Sequence, residues 1–127
     1  MIIQDSKTIQ EIQYEFHALY PGLKIEFYRF PHDQFKGSLR DNQYSSEMHL
    51  FEIREHHNEG EITIAPDMTV KTLESLFEEL YGLHVQVFRK SNRIWLQTSK
   101  TDSWTLAEQN RKGLRSSKVT SSESKQQ

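Results

Sequence analysis

The chain states one pattern twice. Thr8-Ile9-Gln10-Glu11-Ile12 through Tyr28-Arg29 returns as Thr69-Val70-Lys71-Thr72-Leu73 through Phe88-Arg89. With Pro21 treated as one insertion, seven of 21 aligned positions are identical: Thr8/Thr69, Phe16/Phe77, Leu19/Leu80, Tyr20/Tyr81, Gly22/Gly82, Leu23/Leu83 and Arg29/Arg89. Self-similarity at a fixed offset marks a repeated structural unit. The repeated positions are those that a core and its turns require, so the pattern constrains architecture far more than chemistry.

Size decides whether the halves can stand apart. A total of 127 residues fits one domain, and a half of about 55 residues has too little interior to be more than marginal alone. Residues 1–59 and 60–113 are therefore expected to share one core as a single globular domain. Residues 114–127 are rich in Ser and Lys and poor in apolar groups. They bury too little to offset their ordering entropy, which predicts a disordered tail.

Ile9, Ile12, Phe16 and Leu19 fall at i, i+3, i+7 and i+10, and Val70, Leu73, Phe77 and Leu80 copy them; this is one stripe of a 3.6-residue period. Two long helices follow. Thr8 with Glu11 makes a capping box, whereas Thr69 has Thr72 in that place and caps by its hydroxyl alone or yields to Asp67. Gly22 and Gly82 are expected to end the helices in a left-handed turn. Alternation over 23–28 and 83–88 predicts strands, and 1–4 and 61–64 read as strands upstream of each helix. Strand, helix, strand implies parallel strands with a right-handed crossover in each half.

The second half continues with a hairpin strand, 89–98, turned at Ser91-Asn92, then a short helix opened by Thr105 and Glu108 and closed near Lys112 by Gly113. Residues 48–54 are a worn copy of that short helix, and 31–46 read as a long loop with a short edge strand near 38–44. The expected fold is α+β: a single domain of two pseudo-twofold-related βαβ(β)α repeats, with a mixed sheet of four or five strands and two long helices on one face.

Several function classes are excluded or left without support. No cysteine is present, which removes disulfides, thiol catalysis and thiolate metal sites. His49 and His56 stand seven apart, whereas two helical ligands of one ion normally stand three or four apart, so no metal is expected. His56 and His57 are better read as partners of a helix C-terminus. The pairs Glu11/Glu15, Glu52/Glu55 and Glu78/Glu79 fall on solvent faces, and no phosphate loop, nucleophile elbow or dinucleotide fingerprint occurs. Neither an enzyme nor a cofactor is expected. Formal charge is −2, too near neutral for a general nucleic-acid binder. No leader or apolar span is visible, and a soluble cytoplasmic protein is the default.

The stretches His57-Asn58-Glu59-Gly60, Pro66-Asp67-Met68-Thr69-Val70, Val85-Gln86-Val87-Phe88-Arg89-Lys90-Ser91 and Thr101-Asp102-Ser103-Trp104-Thr105-Leu106 resemble a family of small uncharacterised bacterial conserved hypothetical proteins. The resemblance covers the latter part of the chain and implies no activity.

What remains is a surface. A turn at Ser91-Asn92 sets Lys90 against Arg93, Phe88 against Trp95 and Gln86 against Gln97 on one face, with Val85, Val87, Ile94, Leu96 and Thr98 on the core side. Tyr28 is the first-half counterpart of Phe88, and Arg29 and Arg89 end matching strands where they could bind one anion together. The short helix at Trp104 could cover this face. Left open, it suits a protein partner or a second copy of the chain, single-stranded nucleic acid, or a small ligand. The expected function is a non-catalytic protein–protein interaction or adaptor domain, with single-stranded nucleic-acid binding as the alternative. The candidate partner-binding residues are Phe88, Trp95, Lys90, Arg93, Tyr28, Arg29 and Arg89.

Overall fold

The computed structural model describes residues 1–32 and 37–126, with side chains described as far as Ser116. In chain order the elements are β1 (Ile2–Ile3), α1 (Ile9–Leu19), β2 (Leu23–Tyr28), β3 (Gly60–Glu61), α2 (Val70–Tyr81), β4 (His84–Ser91), β5 (Ile94–Gln97) and α3 (Leu106–Gln126). Short 3-10 turns stand at Arg40–Asn42, Leu50–Glu52 and Ser99–Thr101. Among the described residues the domain is α+β, with three α-helices, a two-stranded sheet β1-β3 and a three-stranded sheet β2-β4-β5.

Every strand pair is antiparallel, which corrects the expected parallel pairing within each half. The strands pair between the two halves of the chain: β1 with β3, and β2 with β4. Joining the halves in this way puts both helices over one shared interior, which neither half could enclose alone. The ladder between β2 and β4 is centred on Glu26↔Gln86, and the pairs on either side match, Ile25↔Val87 with Phe27↔Val85 and Lys24↔Phe88 with Tyr28↔His84.

The helices begin as their sequences dictate. The Thr8 hydroxyl accepts from the Glu11 N–H at 3.2 Å, and the Glu11 carboxylate accepts from the Thr8 N–H at 3.3 Å. Thr69 accepts from the Thr72 N–H at 3.1 Å. The start of α1 meets the 3-10 turn at Leu50–Glu52, and the start of α2 meets the start of α3. Ile9 N–H donates to Met48 O and Leu50 N–H to Lys7 O; Val70 N–H donates to Trp104 O and Leu106 N–H to Met68 O, all at 2.8–3.1 Å. Helix N-termini leave unpaired donors, and here two of them satisfy one another.

The stripe differs at its last position. Leu19 and Leu80 are exposed, and Tyr20 and Tyr81 take their place in the core beside Phe16 and Phe77. At about 100° per residue, position i+11 lies about 20° from i, whereas i+10 lies about 80° away on the rim. Gly82 has the expected left-handed conformation, φ 64. Gly22 does not, and its lack of a side chain serves α3 instead. A Cβ on Gly22 would stand 2.6 Å from Asn110 O and 3.0 Å from Leu114 N.

That contact explains why α3 does not close at Gly113. The helix lies against the turn between α1 and β2, with Gly113 facing Gly22, and tertiary contact carries it past a residue that isolated helices disfavour. Its packed part reaches at least Ser116, whose hydroxyl accepts from the Asn92 N–H. The short edge strand foreseen near 38–44 is a 3-10 turn followed by one bridge, Tyr28↔Gln43; residues 33–36 of the long loop lie outside the described residues.

Candidate functional site

Hairpin β4–β5 turns at Asn92-Arg93, one residue later than the dipeptide composition suggests, because Asn92 takes the positive φ of 56 and Ser91 closes the ladder with Ile94. Asn tolerates that region better than most residues. The register therefore slips by two: Lys90 faces Trp95 and Phe88 faces Gln97. A slip of two preserves faces, so Phe88, Lys90, Trp95 and Gln97 still share one side, while Arg93 moves into the turn.

That side is filled by cations. The Lys24 ammonium sits 5.0 Å from the centre of the Phe88 ring and 5.4 Å from that of Trp95, and Lys90 sits 5.1 Å from Trp95. His17 of α1 meets the Trp95 ring edge-on at 6.3 Å. Trp95 and Phe88 are half-buried under these groups. The helix that follows Trp104 does not cover them; it packs on the opposite side of β4, where Arg89 donates to Gln109 at 2.8 Å and lies over the Trp104 ring.

The core side of the hairpin departs from expectation. Val85, Val87 and Thr98 are buried, but Ile94 and Leu96 remain 59% and 39% exposed. Among the described residues no strand pairs with the outer edge of β5, although the Gln97 side chain exchanges two hydrogen bonds with the Ser38 backbone at 2.8 and 2.9 Å. Lys90 N–H donates to Gly22 O and Thr98 N–H to Val87 O, so odd-numbered residues of β4 address the β5 side. Arg89/Leu96 and Ser91/Ile94 are then the hydrogen-bonded pairs, and the backbone groups of Trp95 and Gln97 point away from β4.

The remaining candidates are dispersed. Tyr28 is buried with its hydroxyl donating to Gln43 at 3.2 Å, and burial, helped by Glu26, raises its pKa. Arg29 is exposed over the Tyr44 ring at the far end of β2, whereas Arg89 pairs with Leu23 at the near end. Antiparallel pairing sends matching strand ends in opposite directions, so the two arginines cannot share one anion. His57 stands 2.8 Å from Asp5 rather than on a helix terminus.

Sequence reasoning missed a polar cavity of about 190 Å³ beside α2, lined among others by His32, Lys71, Glu74, His84 and Asp102. Glu74 accepts from the Val87 N–H at 3.0 Å, and its other oxygen lies 3.1 Å from His32. Burial pushes the Glu74 carboxyl above the usual glutamate range, against the pull of His32 and the Val87 N–H. Both oxygens are thus engaged in clamping β4 where β5 stops and in holding the loop at His32. A signal was present, since Glu74 aligns with Gln13, and Gln13 bonds Ile25 O and Glu26 as Glu74 bonds Val87 and Gln86. The acid and the amide have exchanged places between the halves. Among the described residues no group of three or more His, Asp or Glu side chains is placed to hold a metal ion, and no helix is long and apolar enough to cross a membrane.

The class defined by this fold is a small α+β domain built across an antiparallel strand pair. No protein-family model, curated protein or solved structure matches the chain.

Proposed function

We propose that the chain is a non-catalytic interaction domain whose protein partner docks on hairpin β4–β5. The observation that carries this reading is the edge of β5, which no described strand pairs: outward backbone groups at Trp95 and Gln97, flanked by exposed Ile94 and Leu96, with the Ser38 segment held only through the Gln97 side chain. An uncovered edge with apolar side chains is a template for strand addition. Lys24, Lys90 and Arg93 surround it, so the complementary strand is acidic. Self-association through the same edge is the case in which a second copy supplies the strand.

The test uses a fluorescein-labelled extended peptide of alternating Glu and Val, with binding followed by the fluorescence anisotropy of the label. Binding should weaken at least about tenfold in Leu96→Lys and in Trp95→Ala, the scale of losing a central interface anchor. Affinity unchanged in both variants would refute the reading, and sedimentation without peptide reads self-association.

One observation favours single-stranded nucleic acid as a second reading. Residues 86–127 hold nine Lys/Arg against three Asp/Glu, while residues 1–85 hold seven against fifteen. A labelled oligothymidylate should then bind with a steep salt slope that flattens when the tail is removed. The protein reading ranks first because Lys24 and Lys90 occupy the Trp95 ring where a base would stack.

The same proposal treats 1–59 and 60–113 as two copies of one unit about a pseudo-twofold through Glu26 and Gln86. The matched β2/β4 ladder and the paired helix caps support it, and β1/β3 departs from it, since Ile2 and Ile3 correspond to Thr63 and Ile64 rather than to β3. The family resemblance is the ground for proposing a bacterial source.

A further inference from the structure

We propose that the cleft between the hairpin turn and α3 binds a phosphomonoester dianion. The cleft measures about 290 Å³ and is lined by Arg89, Lys90, Lys112 and Arg115 with Ser91, Asn92 and Ser116; no carboxylate is among its described lining residues. Three cations, Arg89, Lys112 and Arg115, converge there in a chain that holds 18 acidic and 16 basic residues, while the Lys90 ammonium is turned to the Trp95 ring on the other face. None of the three has a carboxylate partner among the described residues, although ion pairs form elsewhere, as at Lys7–Glu15 and Arg54–Asp5. Gathering like charges without a counterion is unfavourable, and a bound anion reverses the sign.

The arrangement is also held in place. Gln109, Lys112 and Ser116 stand at i, i+3 and i+7, on the face of α3 turned toward the hairpin. Gln109 donates to Thr101 O and Oγ1, both at 2.8 Å, and accepts from Arg89 at 2.8 Å. Trp104 lies under both cations, 5.6 Å from the Arg89 guanidinium and 5.3 Å from the Lys112 ammonium. One edge of the guanidinium is fixed by Gln109, leaving the other free to grip two oxygens, the geometry in which Arg recognises phosphate. A compact pocket of converging cations favours a terminal dianion over a diester chain, which needs an extended track.

The experiment follows backbone amide resonances while the full chain is titrated with inorganic phosphate, phosphoserine, serine and dimethyl phosphate. Phosphate and phosphoserine should shift residues 89–92 and 112–116 saturably; serine should not, and dimethyl phosphate should bind at least about tenfold more weakly for want of the second charge. Arg89→Gln should weaken phosphate binding about tenfold or more. Because Arg89 also packs on Trp104, the double variant Lys112→Gln/Arg115→Gln, whose side chains are exposed, provides the same reading without risk to the fold. Shifts spread evenly over all basic residues, equal binding of dimethyl phosphate, or phosphate affinity unaltered in the double variant would overturn the proposal. A response to phosphoserine but not to phosphate would transfer recognition to the amino-acid moiety and equally overturn it. Leu96→Lys should leave phosphate binding intact, so this site stands or falls apart from strand docking on β5.

Discussion

Replacing Gly113 by alanine sets local preference against tertiary packing, because the two predict opposite signs. Gly113 lies within α3, and exchanging an exposed helical glycine for alanine stabilises a helix by about 1 kcal/mol. In the fold, however, a methyl group there would sit 3.0 Å from Gly22 Cα and 3.1 Å from its carbonyl carbon. These are backbone atoms and cannot rotate away, so α3 must back off the turn. Overpacking of that kind costs about 1–3 kcal/mol. Retreat also stretches the bond from Gly22 N–H to Asn110 Oδ1, 2.7 Å long, worth about 1 kcal/mol. After the propensity gain is deducted, a net loss of about 2 kcal/mol is expected. With a urea dependence of about 1–3 kcal/mol per molar for a small domain, the unfolding midpoint followed by circular dichroism should fall by about 1 M. Gly22→Ala should cost a similar amount, and the double variant less than the sum, since a helix already displaced accommodates the second methyl. A midpoint that rises in Gly113→Ala would refute the packing of α3 on the α1–β2 turn.

Two further outcomes concern buried charge. Arg54 is enclosed, with Nη2 and Nε donating to Asp5 Oδ1 at 2.7 and 3.0 Å and Nη1 to Tyr81 O at 3.1 Å. Arg54→Met keeps the volume but strands the Tyr81 carbonyl, and should destabilise by about 2 kcal/mol in thermal unfolding, at the low end because Asp5 is partly exposed and retains His57. Burial alone would raise the Asp5 carboxyl, but the hydrogen bond and charge of Arg54, with His57, outweigh it and hold the carboxyl below its ordinary value of 3.8. Its contribution is therefore present above that pH and lost as pH falls further, and the acid limb of stability against pH should flatten in Arg54→Met. Glu74 has the opposite sign. Its raised carboxyl favours the protonated fold, so the stability of the parent relative to Glu74→Gln should decline as pH rises from the ordinary glutamate value of 4.5 through the folded value. A pH-independent difference would remove Glu74 from that account.

The local elements were legible because their causes are local. Thr8, Glu11, Thr105 and Glu108 announce their caps at fixed spacing, and Ile9, Ile12 and Phe16 declare a buried face by period alone. The repeat told which segments are equivalent. It could not tell how the strands meet, since alternating strands satisfy parallel and antiparallel ladders alike; the closure of one interior shared by α1 and α2 decided for antiparallel pairing. The candidate surface was legible in its faces, because side chains alternate, but not in its register, which Asn92 fixes by a positive φ.

Composition and periodicity thus determined where α1 and α2 lie, which of their faces are apolar and which stretches of sequence resemble one another. Tertiary structure decided the rest: Gly22 and Gly113 became a contact, Arg29 and Arg89 were carried to opposite strand ends, and Glu74 was buried against β4. The physical reason is range. Caps and stripes are settled within one or two turns of chain, whereas the meeting of Gly22 with Asn110, 88 residues away, depends on how the whole interior closes.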